Sequence, residues 1–320
     1  MRSPIERDFP ANGSPRQKLE FALKYAVLAP TESHWPPWDF RVSDSHLELI
    51  AKDDPSPGAV DPDGREALIG CGAALLYLKI ALRHLGCLGR VALFPDLGDL
   101  ALVARIYPGY GGEQETRERL LFEAMTGSRA SFSSPGETPV SETMLAALSH
   151  AAAGERGWLD FVQRETNRQE VEKITMAAQQ WWMTFDLSRA QPTKIVVAKR
   201  PTRLLSAFGG RSIRPAIDPV QRPAGVAATL AVVKTKTDDK HGWLEAGQTM
   251  ARTVLQAQAL GLSWAFFNSV RRREARSALR MRVGHKGFAQ IILRFGSLIN
   301  GEILQSAAPT TDSLPQFIKA

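Results

Sequence analysis

Apolar residues recur at helical spacing from Arg16 to Leu28, with Pro15 near the start of the run and Pro30 just past its end, and this predicts a helix. The loop "APTESHWPPWDF", Ala29 to Phe40, follows and leads into a short strand, "WDFRV", and a brief helix, "SHLELIAK". Prolines, a glycine and aspartates in "DDPSPGAVDPDG" mark turns. From Arg65 to Leu85 the chain is almost continuously apolar, which predicts a helix buried on nearly all sides. β-Branched and aromatic residues then predict strands at "GRVALF" and "LALVARI". A helix, "ETRERLLFEAM", and a polar, glycine-containing linker, "TGSRASFSSPGETP", close this half.

After the linker the order of elements repeats. The helix "SETMLAALSHAAA" precedes "GWLDFVQ", which echoes "PWDFRV". Further on, "WLEAGQTMARTVLQAQALGLSWAFF" echoes the long apolar helix and the strand behind it. Setting Leu85-Gly86 on Leu260-Gly261 places Gly72 on Gly247 and Leu75 on Met250. An internal duplication of an α+β unit, its two long helices packed on each other, would bury both. The units expected are residues 1–125 and 126–320. The halves differ at one place: Ala29 to Trp38 takes nine steps, whereas Ala153 to Trp158 takes five. An elaboration found in one copy alone favours a site-forming loop over a plain connector. Between the echoes, a long helix from Thr166 carries the tandem Trp181 and Trp182, read as inter-helix packing or as part of a lid.

Composition narrows the picture little. Of 320 residues 44% are hydrophobic and 23% charged, as in a soluble globular protein. The net charge of +7 permits anionic ligands, nucleic acid or acidic lipid without choosing among them. Cys71 and Cys87 lie among small and aliphatic residues, so both should be buried and unpaired, which suits the cytoplasm. Neither they nor the scattered histidines have the spacing of a metal site. The N-terminus has no apolar h-region, and the long helix is interrupted by Lys79, Arg83 and His84, so no membrane association is expected. "VRRREARSALRMR" is rich enough in arginine to track a nucleic-acid backbone, but Ala275, Leu279 and Val283 form an apolar stripe and no base-stacking aromatics accompany it. It is read as a solvent-facing helix, with no nucleic-acid partner. Motifs of serine hydrolases, zinc proteases and P-loop enzymes do not occur.

Several stretches resemble a known family. "APTESHWPPWDF" resembles the "APSxHNxQPW" signature of the nitroreductase family, and "GREALIGCGAALLYLKIAL" resembles the long-helix signature of its Acg-like branch, whose chains look like two fused nitroreductase units. "FPDLGDLALVARI", "GSRASF" and "KGFAQIILRFG" fall in the same order, so the resemblance runs from about residue 16 to 297. It implies a nitroreductase-like α+β fold of two fused pseudo-symmetric units with FMN at their junction. It further implies NAD(P)H as electron donor and a quinone-like or nitroaromatic small molecule as acceptor, with hydride passing through flavin N5. A chain of this design is expected to be a monomer acting as a pseudo-dimer, a further dimer remaining open.

The resemblance also implies cofactor-binding residues, with matches and departures. Thr31 stands where the signature has serine and keeps the hydroxyl, while His34 occupies the asparagine position and can donate a hydrogen bond as a neutral imidazole. Pro36 replaces a glutamine; Pro37 and Trp38 match, Trp38 as a core anchor. Trp35 either caps the flavin face or packs on a neighbouring loop. In the second half "TGSRASF" resembles "RxSxRxF", so Ser128 and Phe132 match, and Arg129 sits one place before the second arginine position. Thr126 replaces the first, phosphate-binding arginine, and the tail "AAPTTDSLPQF" lacks the basic residues usual there. Each lost charge-assisted hydrogen bond is worth roughly 1.5 to 3 kcal/mol. Arg211, Arg214 and Arg222 either replace them or belong to a solvated basic loop. Asn268 and Ser269 fall where the family sets backbone near flavin N5. No catalytic side chain is implied, because hydride transfer between stacked rings is governed by distance and orientation. The alternative is a protein that holds flavin without turning over, or one that has lost it.

Overall fold

A computed structural model describes residues 6–31, 36–52, 61, 63–110, 116–126, 140–175, 229–266, 273–297 and 318–319. Helix α1, Pro15–Ala26, starts at a capping box: Ser14 Oγ accepts from the Gln17 N–H at 3.3 Å, and Gln17 Oε1 accepts from the Ser14 N–H at 2.8 Å. Strands β1, Trp38–Val42, and β2, Leu47–Ala51, precede helix α2, Arg65–His84. Strands β3, Leu88–Leu93, and β4, Leu102–Pro108, and helix α3, Thr116–Thr126, complete this half. The second half has α4, Glu142–Ala153, β5, Trp158–Phe161, and helix α5 over residues 165–175. Strand β6, Thr229–Thr235, helix α6, Lys240–Ala259, and strand β7, Leu262–Phe266, follow. Helix α7, Arg273–Val283, strand β8, Phe288–Ser297, and the two-residue strand β9, Ile318–Lys319, end it. The class is α+β.

Two sheets result, ordered β3-β4-β2-β1-β9 and β7-β8-β6-β5. Apart from β9, which pairs in parallel with β1, every pairing is antiparallel, and the two orders correspond strand for strand. Trp38 and Trp158 open the corresponding strands β1 and β5. The principal difference lies between the sheets' second and first strands: β1 and β2 are joined by a tight turn, whereas α5 and a long stretch of chain separate β5 from β6.

The stretch "SHLELIAK" is strand, not helix. Its leucines 47 and 49 alternate on the core side, while Glu48 is buried between two arginines of the neighbouring strands. Arg41 of β1 reaches Glu48 at 2.9 Å and Arg105 of β4 reaches it at 2.7 Å. Burial alone would raise the Glu48 carboxyl, but these guanidinium groups hold it below its ordinary value. Cross-strand charge pairing lets a polar residue sit where a helical pattern would have turned it outward.

Both long helices are core elements and pack on one another through glycines. A Cβ added to Gly72 would lie 2.2 Å from the Leu244 carbonyl oxygen, and one on Gly247 would lie 1.9 Å from that of Ile69. Without side chains at these points, the two backbones touch. By length and composition α2 could cross a bilayer despite its charged residues, but 83% of its most apolar window is buried inside the protein. Lys79 is satisfied within the fold by Glu155 at 3.2 Å and Gln248 at 2.9 Å. Beside it, α3 binds both long helices through Glu118, which meets Arg83 and Arg252, each at 2.9 Å. Arg252 also reaches Glu155 at 2.7 Å. The outer face of the second sheet is covered by α5 and α7, whose Val171 and Leu279 pack on Leu230, Val232 and Ile292.

Candidate functional site

The first half's distinctive loop ends against α2. Pro37 packs on Gly70, where an added Cβ would come within 2.4 Å of its ring, and the Pro37 carbonyl accepts from the Lys52 N–H at 3.1 Å and the Cys71 thiol at 3.4 Å. Trp38 is buried in the core beside it, as expected of an anchor. Since Gly64 supplies no capping side chain to α2, Asp61 does so, its carboxylate accepting from the Ala67 N–H at 3.0 Å. Burial raises the Asp61 carboxyl, and these backbone donors only partly offset it.

From here a chain of polar groups connects the starts of both long helices. Arg65, the first residue of α2, is buried; its Nη2 donates to Gln290 Oε1 at 2.9 Å and to the Gln290 carbonyl, and it also pairs with Glu66. Gln290 Nε2 in turn donates to Thr235 Oγ1 at 3.0 Å and Asp238 Oδ1 at 3.2 Å. Asp238 stands just before α6 and also accepts from Trp243 Nε1 at 2.8 Å and from Arg276 of α7 at 3.2 Å. Burial disfavours its charge, but the Trp243 hydrogen bond and the Arg276 charge together hold the carboxyl below its ordinary value. On the opposite side His241, in the first turn of α6, packs edge-on against Phe94 behind β3 at 4.7 Å. Each long helix therefore begins in contact with the other half's sheet or the segment directly after it.

No protein-family model matches the chain. Individual proteins do. The Mycobacterium tuberculosis (strain H37Rv) protein named "Putative NAD(P)H nitroreductase Rv3131" is 28% identical over 301 residues, covering 88% of this chain and 85% of its own. From the same strain, "Putative NAD(P)H nitroreductase acg" is 23% identical, covering 87% and 88%. Over most of its length the chain is thus similar to proteins that carry the name NAD(P)H nitroreductase. A solved nitroreductase from Bacteroides fragilis, described with bound FMN, aligns over 61% of this chain and 96% of its own with a TM-score of 0.38 and 15% identity.

Of the residues that resemblance to nitroreductases singles out, Thr31 is described and is half-buried at the near end of the distinctive loop. His34, Trp35, Ser128, Arg129, Asn268 and Ser269 lie outside the described residues, as do Arg211, Arg214, Arg222, Trp181 and Trp182. Their flanks are described: Pro36 and, beside α2, Pro37; the end of α3 before residue 128; and Phe266 and Arg273 on either side of 268–269. The helix read as solvent-facing exposes most of its residues, with one exception among its arginines. Arg276 does not face solvent; it is 7% exposed and turned onto Asp238, because the apolar stripe of α7 brings the neighbouring face of the helix down onto the sheet. The Arg65–Gln290–Asp238 connection was not foreseen. Its signal was present as isolated polar residues in apolar surroundings, Arg65 opening an apolar helix and Gln290 inside "FAQIILRF".

Proposed function

We propose that this chain is an FMN-dependent NAD(P)H oxidoreductase, built as two nitroreductase-like units that enclose one flavin at their junction and pass hydride to a small quinone-like or nitroaromatic acceptor. The observation that carries the reading is the pair of matched sheets around α2 and α6, joined at facing glycines, in a chain whose relatives over most of its length are named NAD(P)H nitroreductases. In such an arrangement the interface between units is internal, so a monomer suffices.

Two described residues of the distinctive loop support this reading. Pro37 is wedged on α2 with its carbonyl already occupied, and Thr31 brings a hydroxyl to the same loop. FMN, when bound, supplies a two-electron carrier whose N5 accepts and donates hydride. In this reading Thr31 and His34 donate hydrogen bonds to the ring, and Trp35 either covers one face or packs on a neighbouring loop. Ser128 and Arg129 hold the ribityl and phosphate, and the backbone at Asn268 and Ser269 borders N5. These residues orient the ring and exclude water; none is assigned a proton-transfer step.

The test is the visible spectrum of the purified protein. A flavin absorbance that bleaches on anaerobic addition of NADH or NADPH and returns with a quinone is the expected result. Flavin colour that resists both nicotinamides identifies a flavin-holding protein instead. A colourless protein that FMN cannot reconstitute overturns the proposal.

A further inference from the structure

We propose that the cleft beside α7 is a binding site for a phosphorylated organic molecule, separate from the flavin site. The cleft measures about 480 Å³, within the range of small-molecule sites, and its lining includes Arg273, Arg276, Arg280, His285, Asp238 and Phe288. The three arginines follow one another at spacings of three and four, so they occupy one face of α7 and converge on the same hollow. Among the described lining residues one carboxylate opposes the three guanidinium groups, and that one, Asp238, already serves Trp243, Gln290 and Arg276.

The side chains are held before any ligand arrives. Arg276 is buried and fixed on Asp238. Arg280 donates from Nε to the His285 carbonyl at 3.0 Å and lies over the Phe288 ring at 4.6 Å. Arg273, exposed at the helix start, forms the rim. Planar guanidinium groups suit the paired oxygens of a phosphate, and a preset fork loses less freedom on binding. Phe288 and Met281 give the cleft apolar surface as well, so a phosphate carried on a flat organic group fits better than a free ion. A nucleic-acid backbone fits less well: the charge lies in a concavity, and Arg282, on another side of the helix, faces Glu170 at 3.6 Å.

Calorimetric titration at low ionic strength tests this with AMP, inorganic phosphate, adenosine and a short DNA duplex, using the full chain as purified. AMP is expected to bind saturably and more tightly than phosphate, with adenosine at least tenfold weaker than AMP. Arg273→Ala and Arg280→Ala should each weaken AMP by roughly tenfold or more, with flavin content and thermal midpoint unchanged. Equal binding of adenosine, an unchanged affinity in both variants, tighter binding of DNA, or no binding at all overturns the proposal. Loss of flavin together with AMP binding in the variants also overturns it, because the cleft would then belong to the flavin site.

Discussion

Replacing Gly247 by alanine places one methyl group where α6 and α2 touch. Its Cβ would fall 1.9 Å from the Ile69 carbonyl oxygen, 2.8 Å from the Ile69 carbonyl carbon and 3.0 Å from the Ala73 nitrogen. All three are backbone atoms inside a helix, so no side-chain rotation relieves the overlap. The helices must separate by about an ångström or more, and a gap of that size forfeits roughly a quarter to a half of each dispersion contact along the seam. Overpacking ordinarily costs about 1 to 3 kcal/mol, and a rigid obstacle puts this site at or above the upper end. Alanine's better helix propensity returns about 1 kcal/mol. A net loss of about 2 to 4 kcal/mol is expected, read as a lower urea midpoint with an unchanged slope. Gly154→Ala is the control: its backbone is already right-handed, with φ −64°, and the nearest obstacle is the Ala151 carbonyl at 3.3 Å, so it should stay within about 1 kcal/mol of the parent. A Gly247→Ala protein as stable as the parent would refute the close crossing of the two helices.

Glu118 should make stability acid-sensitive. Burial pushes its carboxyl up, but Arg252 and Arg83 outweigh burial and hold it below its ordinary 4.5. The unfolded chain therefore takes up this proton first as pH falls below about 4.5, and stability fully present at neutral pH is lost toward acid. Glu118→Gln should cost on the order of 2 kcal/mol at pH 7 and flatten that acid slope, measured by urea midpoints at several pH values. Cys71 and Cys87 are free and buried; burial raises both thiols, Cys87 to about 11. Neither should react with a disulfide reagent at pH 8 until the protein unfolds, and rapid labelling of the folded protein would contradict this burial. His34→Ala should weaken flavin binding about tenfold or shift its potential, and unchanged affinity and potential would remove His34 from the site.

Much of the fold was written in local patterns. The largely apolar run of α2, the glycines set on each other by aligning the halves, and the two tryptophans opening β1 and β5 all follow from burial that admits few residue types. The strand at Leu47–Ala51 was hidden because Glu48 looks solvated until Arg41 and Arg105 are brought beside it by the sheet. The burial of Arg276 is hidden for a similar reason: its partner Asp238 is distant in sequence, and only packing of α7 on β8 reveals it. Likewise Arg65 and Gln290 lie at opposite ends of the chain and meet through tertiary structure alone. The candidate flavin residues rest on motif likeness, because their stretches of sequence carry no hydrophobic period from which a position can be read.

The facing glycines also bear on how the protein is made. Helix α2 ends at His84, whereas the helix that covers it begins at Lys240. At ordinary rates of synthesis the first leaves the ribosome on the order of ten seconds before the second. For that interval a greasy rod lacks its intended cover, so the nascent first half is a client for chaperones and a hazard for sticking to its neighbours.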